Sequence, residues 1–154
     1  MTSPLLLCVR RSQASDAGGH GTLVTLRLPS DVGCIEEAVE LVVRHCLAGH
    51  QATKKTRFRL QVVLSEAISN AIVRGNCEDR GKWVDVRAEL LADVIRVFVT
   101  DEGPGFDPSA VPDPVRPEQL DEAGGRGLYL IRKLVDAVEF NERGNSICMI
   151  LRRQ

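Results

Sequence analysis

The segment Leu64-Ser65-Glu66-Ala67-Ile68-Ser69-Asn70-Ala71 decides how the chain is read. Around it, Leu60, Val63, Leu64, Ala67 and Ala71 recur at helical spacing. That predicts a helix from about Thr56 to Val73, ended by Gly75 and Asn76. Glu66 and Asn70 are four apart, so they project from one face, beside the buried stripe and next to Val63. They would rim a cleft over the core. A carboxylate and a carboxamide placed together there can share a magnesium ion or its water. Glu66 can also take a proton from a hydroxyl or a water. The plainer reading of the same residues is a solvated helix face.

Two motifs lie downstream. Lys82–Leu91 alternates Trp83, Asp85 and Arg87 against Val84, Val86 and Ala88. Val94–Thr100 is its apolar partner, with Ala92-Asp93 at the turn. Asp101-Glu102-Gly103-Pro104-Gly105-Phe106 follows directly. A carboxylate at a strand end can accept a hydrogen bond from the exocyclic amine of adenine. Gly103 and Gly105 let the backbone turn sharply and approach a ligand closely. A tight turn with a capping Asp is the alternative. Gly124-Gly125-Arg126-Gly127-Leu128 then opens a helix, Gly127 to Ala137. Glycine-rich backbone before a helix N-terminus makes a phosphate cradle from main-chain N–H groups and the helix dipole. It is not a P-loop, because no Gly-Lys-Ser/Thr follows. It also reads as a flexible helix start. Between these motifs, Pro104, Pro108, Pro112, Pro114 and Pro117 break a long stretch without sustained apolar period. That predicts a mobile lid from about Phe106 to Ala123.

Upstream, Thr22–Leu28 alternates as a strand, and Pro29 ends it. Ser30 or Asp31 can cap the next helix. Ile35, Ala38, Val39, Val42, Val43 and Cys46 mark that helix, stopped by Gly49. Pro4–Arg10 reads as a short strand, and Gln13–Gly21 as a loop, within a segment 1–21 that is a flexible terminus or an edge strand. The closing strands are Val138–Glu142 and Ser146–Arg152, joined by Arg143-Gly144-Asn145. The order β-α-α-β-β-loop-α-β-β predicts an α/β two-layer sandwich: a mixed, mainly antiparallel sheet of hairpins with helices on one face, in a single domain over 1–154.

Composition excludes several classes. A chain of 154 residues is enough for one core and buries roughly two thirds of its unfolded surface. The formal net charge of −1, with acids and bases interspersed, gives no argument for direct nucleic-acid or acidic-membrane binding. The five cysteines form no C-x-x-C pair, so they read as small core residues in a reducing cytoplasm and not as a zinc site. The run Pro4 to Val9 is too short to span a bilayer.

Each motif is weak by itself; their order is specific. A helix with E-x-x-x-N, a strand ending in D-x-G-x-G, a lid, and G-x-G opening a helix resemble the GHKL nucleotide-binding class, whose ATP-binding architecture is the Bergerat fold. Leu26-Arg27-Leu28-Pro29-Ser30, Asn70-Ala71-Ile72 with Gly75-Asn76, Asp101 to Pro108 and Gly127-Leu128-Tyr129-Leu130-Ile131 resemble the RsbW-type branch, the anti-sigma-factor serine kinases. The similarity covers about residues 22–152. It implies that Asn70 holds Mg²⁺, that Glu66 is the catalytic general base, and that Asp101 reads the adenine of ATP. It implies that Gly105 lines the base pocket and that Gly125 and Gly127 contact phosphates, with Gly103, Gly124, Arg126 and Leu128 also among the nucleotide-binding residues. Ser146 stands where the family often has a threonine near the adenine. The implied protein is a cytoplasmic partner-switching regulator of transcription that phosphorylates a serine on an anti-anti-sigma antagonist protein. It binds a sigma factor or another regulatory protein, and forms a homodimer through the first strand and helix. The rival expectation is a non-enzymatic, nucleotide-dependent adaptor. Two departures bear on that choice. Arg74 precedes Gly75 where the family often has His, and Ala123 stands near where some of these kinases carry Arg, with Arg126 as its candidate substitute.

Overall fold

A computed structural model describes residues 4–13, 20–48, 51–107 and 125–153. Its strands are β1 (Leu6–Gln13), β2 (His20–Pro29), β3 (Trp83–Leu90), β4 (Val94–Thr100), β5 (Ala137–Phe140) and β6 (Ser146–Arg152). Its helices are α1 (Ile35–Leu47), α2 (Lys54–Asn70) and α3 (Gly125–Leu134). The strands form one sheet in the order β1-β2-β3-β4-β6-β5. Every neighbouring pair is antiparallel. The expected layered α/β architecture is therefore present, with hairpins at β1–β2, β3–β4 and β5–β6.

Period-two patterning sorts the two faces of the sheet. Val24, Leu26 and Leu28 of β2, Val84, Val86, Ala88 and Leu90 of β3, and Ile95, Val97 and Val99 of β4 are buried in one core. Met149 and Leu151 of β6 join them. The helices bring Val39, Val42 and Cys46 from α1, Leu60, Leu64 and Ile68 from α2, and Ile131 from α3 into the same cluster. Burial pushes the Cys46 thiol up to about 11, so it packs as a small apolar group.

Element ends differ from the sequence expectation for local reasons. Helix α2 begins two residues before Thr56 because Thr53 is its cap, its Oγ1 accepting from Thr56 N at 3.0 Å. Its far end is a correction of kind: after Asn70 the chain continues as a π-helical turn, Ala71–Gly75. Asp31, not Ser30, caps the short 3-10 turn that leads into α1, accepting from Gly33 N at 2.9 Å. Ser30 is buried and donates to Lys82 O at 2.9 Å. The terminal segment contributes the edge strand β1, paired along its length with β2. Residues 14–19, Gly49 and the stretch 108–124, which holds most of the expected lid, lie outside the described residues.

Helix α3 stops at Leu134, short of Ala137, because Asp136 is held by the sheet. Its Oδ2 accepts from Arg152 N at 2.7 Å and from Arg59 Nη2 at 3.1 Å. Arg59, buried on α2, also donates to Leu134 O and to Arg152 O. One guanidinium thus ties α2 to the end of α3 and to β6. The Arg152 N–H lies foremost in holding the Asp136 carboxyl below its ordinary 3.8, aided by Arg59 and opposed by burial. A depressed carboxyl contributes stability above its unfolded value and loses it as pH falls through the native one. Asp136→Asn is expected to cost about 1–2 kcal/mol at pH 7, a modest figure because solvent screens the partly exposed pair. Urea denaturation should show that difference shrinking as pH is lowered below 3.8.

Candidate functional site

Three of the sequence motifs converge on α2. Glu66 and Asn70 sit half-buried one turn apart on its last stretch. Gly127, in the first turn of α3, packs directly on them. A Cβ at Gly127 would lie 3.0 Å from both Glu66 Oε2 and Asn70 Nδ2. Glycine is what lets the main chain of α3 come this close. Leu128 and Ile131, both buried, anchor α3 to the core behind this contact. Leu128 therefore faces the cleft with its backbone only, while Arg126 is exposed. The first four N–H groups of a helix have no intrahelical partner. In α3 these belong to Gly125, Arg126, Gly127 and Leu128. Among the described residues no hydrogen bond engages the side chains of Glu66 or Asn70. Gly124 lies outside the described residues.

The second cluster forms where the π-helical turn meets the end of β4. Asp101 follows β4 directly, its N–H donating to Asn145 O at 2.9 Å and its carbonyl accepting from Asn145 Nδ2 at 3.0 Å. Its carboxylate lies against Gly75, where any Cβ would overlap it. Gly103 sits on the carbonyl of Gly75 with equally little room. Asp101 Oδ1 accepts from Gly103 N at 2.8 Å. Oδ2 has no hydrogen-bond partner among the described residues. Burial raises the Asp101 carboxyl above 3.8, opposed by the Gly103 N–H and by the charges of Arg143 and Lys82. The arrangement presents one acceptor oxygen in a partly desolvated notch, which suits an amine donor such as that of adenine.

The remaining expected residues lie elsewhere. Gly105, at φ +78°, closes the loop against Arg143 O, where a Cβ would overlap the carbonyl. Gly144, at φ +73°, meets Phe106 O in the same way, and the rings of Phe106 and Phe140 stack edge-on at 5.2 Å. Gly105 thus fastens the loop to the β5–β6 hairpin. Ser146 pairs across the ladder with Thr100, and their hydroxyls bond at 2.7 Å. Both point to the sheet face opposite the helices, in a shallow open depression also lined by Thr25, Arg27, Asp85 and Phe98. The structure thus places the Ser146 side chain away from the Asp101 notch. Asn76 and Asn145 are site-shaping residues that residue spacing did not single out. The signals for Asn76 are its place after a helix-ending glycine and its part, with Gly75, in the family resemblance.

Residues 28–151 match the histidine kinase-like ATPase domain. The chain belongs to that family. It is similar to the serine-protein kinase RsbW of Bacillus subtilis (strain 168), 35% identical over 98 residues that cover 58% of this chain and 61% of that protein. It is also similar to the serine-protein kinase RsbW of Staphylococcus aureus (strain JH9), 31% identical over 97 residues, with the same coverage of 58% and 61%. The chain thus spans about three fifths of the length of these curated relatives.

The residues of this histidine kinase-like domain fit a nucleotide with its metal. Among the described residues no group of three or more His, Cys, Asp or Glu side chains could hold an ion. An ion at Asn70 would therefore draw most of its oxygen ligands from phosphates and water, the usual habit of Mg²⁺. Among the same residues no helix is long and apolar enough to cross a membrane. Gly127→Val would force the Glu66 and Asn70 side chains aside. Calorimetry should then show ATP binding weakened by about tenfold or more, the equivalent of one good hydrogen bond to a charged group. Near-normal binding would mean that this contact is not part of the site.

Proposed function

We propose that this protein binds ATP with Mg²⁺ and phosphorylates a serine on an antagonist protein, switching its hold on a sigma factor or a similar regulatory partner. The observation that carries the reading is the packing of Gly127 on Glu66 and Asn70 in the last stretch of α2, with Asp101 seated on Gly75 in the π-helical turn that follows. Asp101 Oδ2 would accept from the adenine amine. The free N–H groups of α3 would donate to phosphate oxygens, aided by the helix dipole. Asn70 would hold the metal through its amide oxygen. Bound Mg²⁺-ATP supplies a transferable phosphoryl group whose charge the metal partly neutralises. Glu66 would accept the proton of the incoming serine hydroxyl. It is the one carboxylate on the Asn70 face of α2, because Glu102 is used elsewhere, its Oε2 accepting from Trp83 N at 2.6 Å. The names of the RsbW relatives, serine-protein kinases, support the transfer reading.

The test is incubation with labelled ATP and a candidate antagonist. Glu66→Gln keeps the size of the side chain but cannot take a proton. It is expected to retain nucleotide binding and to lose phosphorylation by about a hundredfold or more, the usual scale for a general base. Asn70→Ala is expected to bind ATP with no dependence on Mg²⁺ in calorimetry. Normal phosphorylation by Glu66→Gln would place the base elsewhere. Tight nucleotide binding without transfer by the unmodified protein would leave a nucleotide-dependent adaptor.

A further inference from the structure

We infer that Asn76 is a positioning residue for nucleotide recognition, holding the Asp101 loop in its binding geometry before any ligand arrives. The inference rests on the reading of Asp101 as the adenine acceptor.

Asn76 has no exposed surface, although it is polar and stands at a helix end where most residues are wet. Every hydrogen-bonding direction it uses goes to a different element. Its Nδ2 donates to Ser30 Oγ at 2.8 Å, beyond the end of β2, and to Trp83 O at 3.0 Å, at the start of β3. Its Oδ1 accepts from Glu102 N at 2.8 Å, in the loop that follows β4. Its own N–H donates to Ala71 O at 2.8 Å and closes the π-helical turn. The Glu102 amide is the peptide joined directly to Asp101. Its fixed place therefore sets where the Asp101 carbonyl and carboxylate can lie. Glu102 returns the bond through its carboxylate to Trp83 N. Gly103 closes the circuit by packing on the carbonyl of Gly75, the residue before Asn76.

The side chain fits this task by its chemistry. A carboxamide carries two donors and an acceptor in one rigid plane. Aspartate keeps the acceptor for Glu102 N but loses the donors to Ser30 and Trp83. Alanine loses all three. A merely structural Asn76 would lower stability in both variants and leave ligand preference alone. A positioning Asn76 separates them, because only alanine frees the Glu102 amide.

The experiment measures affinity for ATP and GTP in the unmodified protein and in Asn76→Asp, Asn76→Ala and Ser30→Ala, each well below its Tm. The expected result is that Asn76→Ala loses about tenfold in ATP affinity, the scale of one buried hydrogen bond to a well-placed group. GTP binding should hardly change, so the adenine preference collapses. Asn76→Asp and Ser30→Ala should lower Tm and keep the preference. An unchanged preference in Asn76→Ala would overturn the inference. No preference in the unmodified protein would instead overturn the Asp101 assignment itself. Hydrogen exchange on the unmodified protein decides the matter even where the variants fail to fold. The Glu102 amide should be as protected as the amides of β4 without nucleotide, and free exchange there until nucleotide binds would overturn the inference.

Discussion

The contact between the Asp101 carboxylate and Gly75 is the constraint on which the rest of the site depends. Two rigid elements meet there. The place of Asp101 is set by the register of β4 against β6 and by the paired bonds to Asn145. The place of Gly75 is set by α2, whose Leu60, Leu64 and Ile68 are locked in the core. The π-helical turn reconciles the two. Adding one residue to a helical turn swings the backbone that follows. Here it brings Gly75 under the carboxylate and sends Asn76 inward. A side chain at either Gly75 or Gly103 would force the strand end and the helix end apart, and both residues lack one.

The two ends of the site therefore differ in character. The Asp101 end is held in place from within: Gly103 and Asn145 donate to Asp101, and Asn76 accepts from the Glu102 amide, which leaves Oδ2 as the open acceptor, unpartnered among the described residues. Its geometry exists without a ligand, so binding there costs little ordering. At the other end Glu66 and Asn70 are half-buried, with no hydrogen bonds among the described residues. Polar groups left in that condition are hydrated, and exchange water for ligand oxygens when one arrives. In the proposed reading, the first end would read shape and donors and the second would accept charge and a metal.

Much of this was legible in the residues because it rests on period. The apolar stripes of α1 and α2 and the alternation in β2, β3 and β4 are strong, and they place Glu66, Asn70 and Asp101 on the correct elements. What was hidden depends on tertiary partners. The π-helical turn has no spacing signal, since Ala71 and Ile72 continue the α pattern. The end of α3 at Leu134 is decided by Arg59, seventy-five positions away in the chain. Asn76 reads as a helix stop until its three partners are visible. Ser146 shows the limit of likeness by position: its strand was expected, but pairing with Thr100 turns its hydroxyl to the opposite face. The glycines split in the same way. Gly127 and Gly103 serve close approach within the site, whereas Gly105 serves a turn against Arg143.

The described residues on both sides of 108–124 are held fast. Before residue 108, Gly105 and Phe106 are clamped by the β5–β6 hairpin through Arg143, Gly144 and Phe140. After residue 124, α3 is held by Leu128 and Ile131 in the core and by Arg59 at its far end. Nucleotides that differ only in their phosphates would meet the same Asp101 notch, because the bonds that fix its backbone and Oδ1 are made without them. Their difference would fall on the first turn of α3 and on Glu66 and Asn70 beneath Gly127. Any change in phosphate charge would thus be felt at the first turn of α3, while base recognition would stay constant. On the proposed reading, this division would let one fold keep its hold on a nucleotide and still respond to which nucleotide it holds.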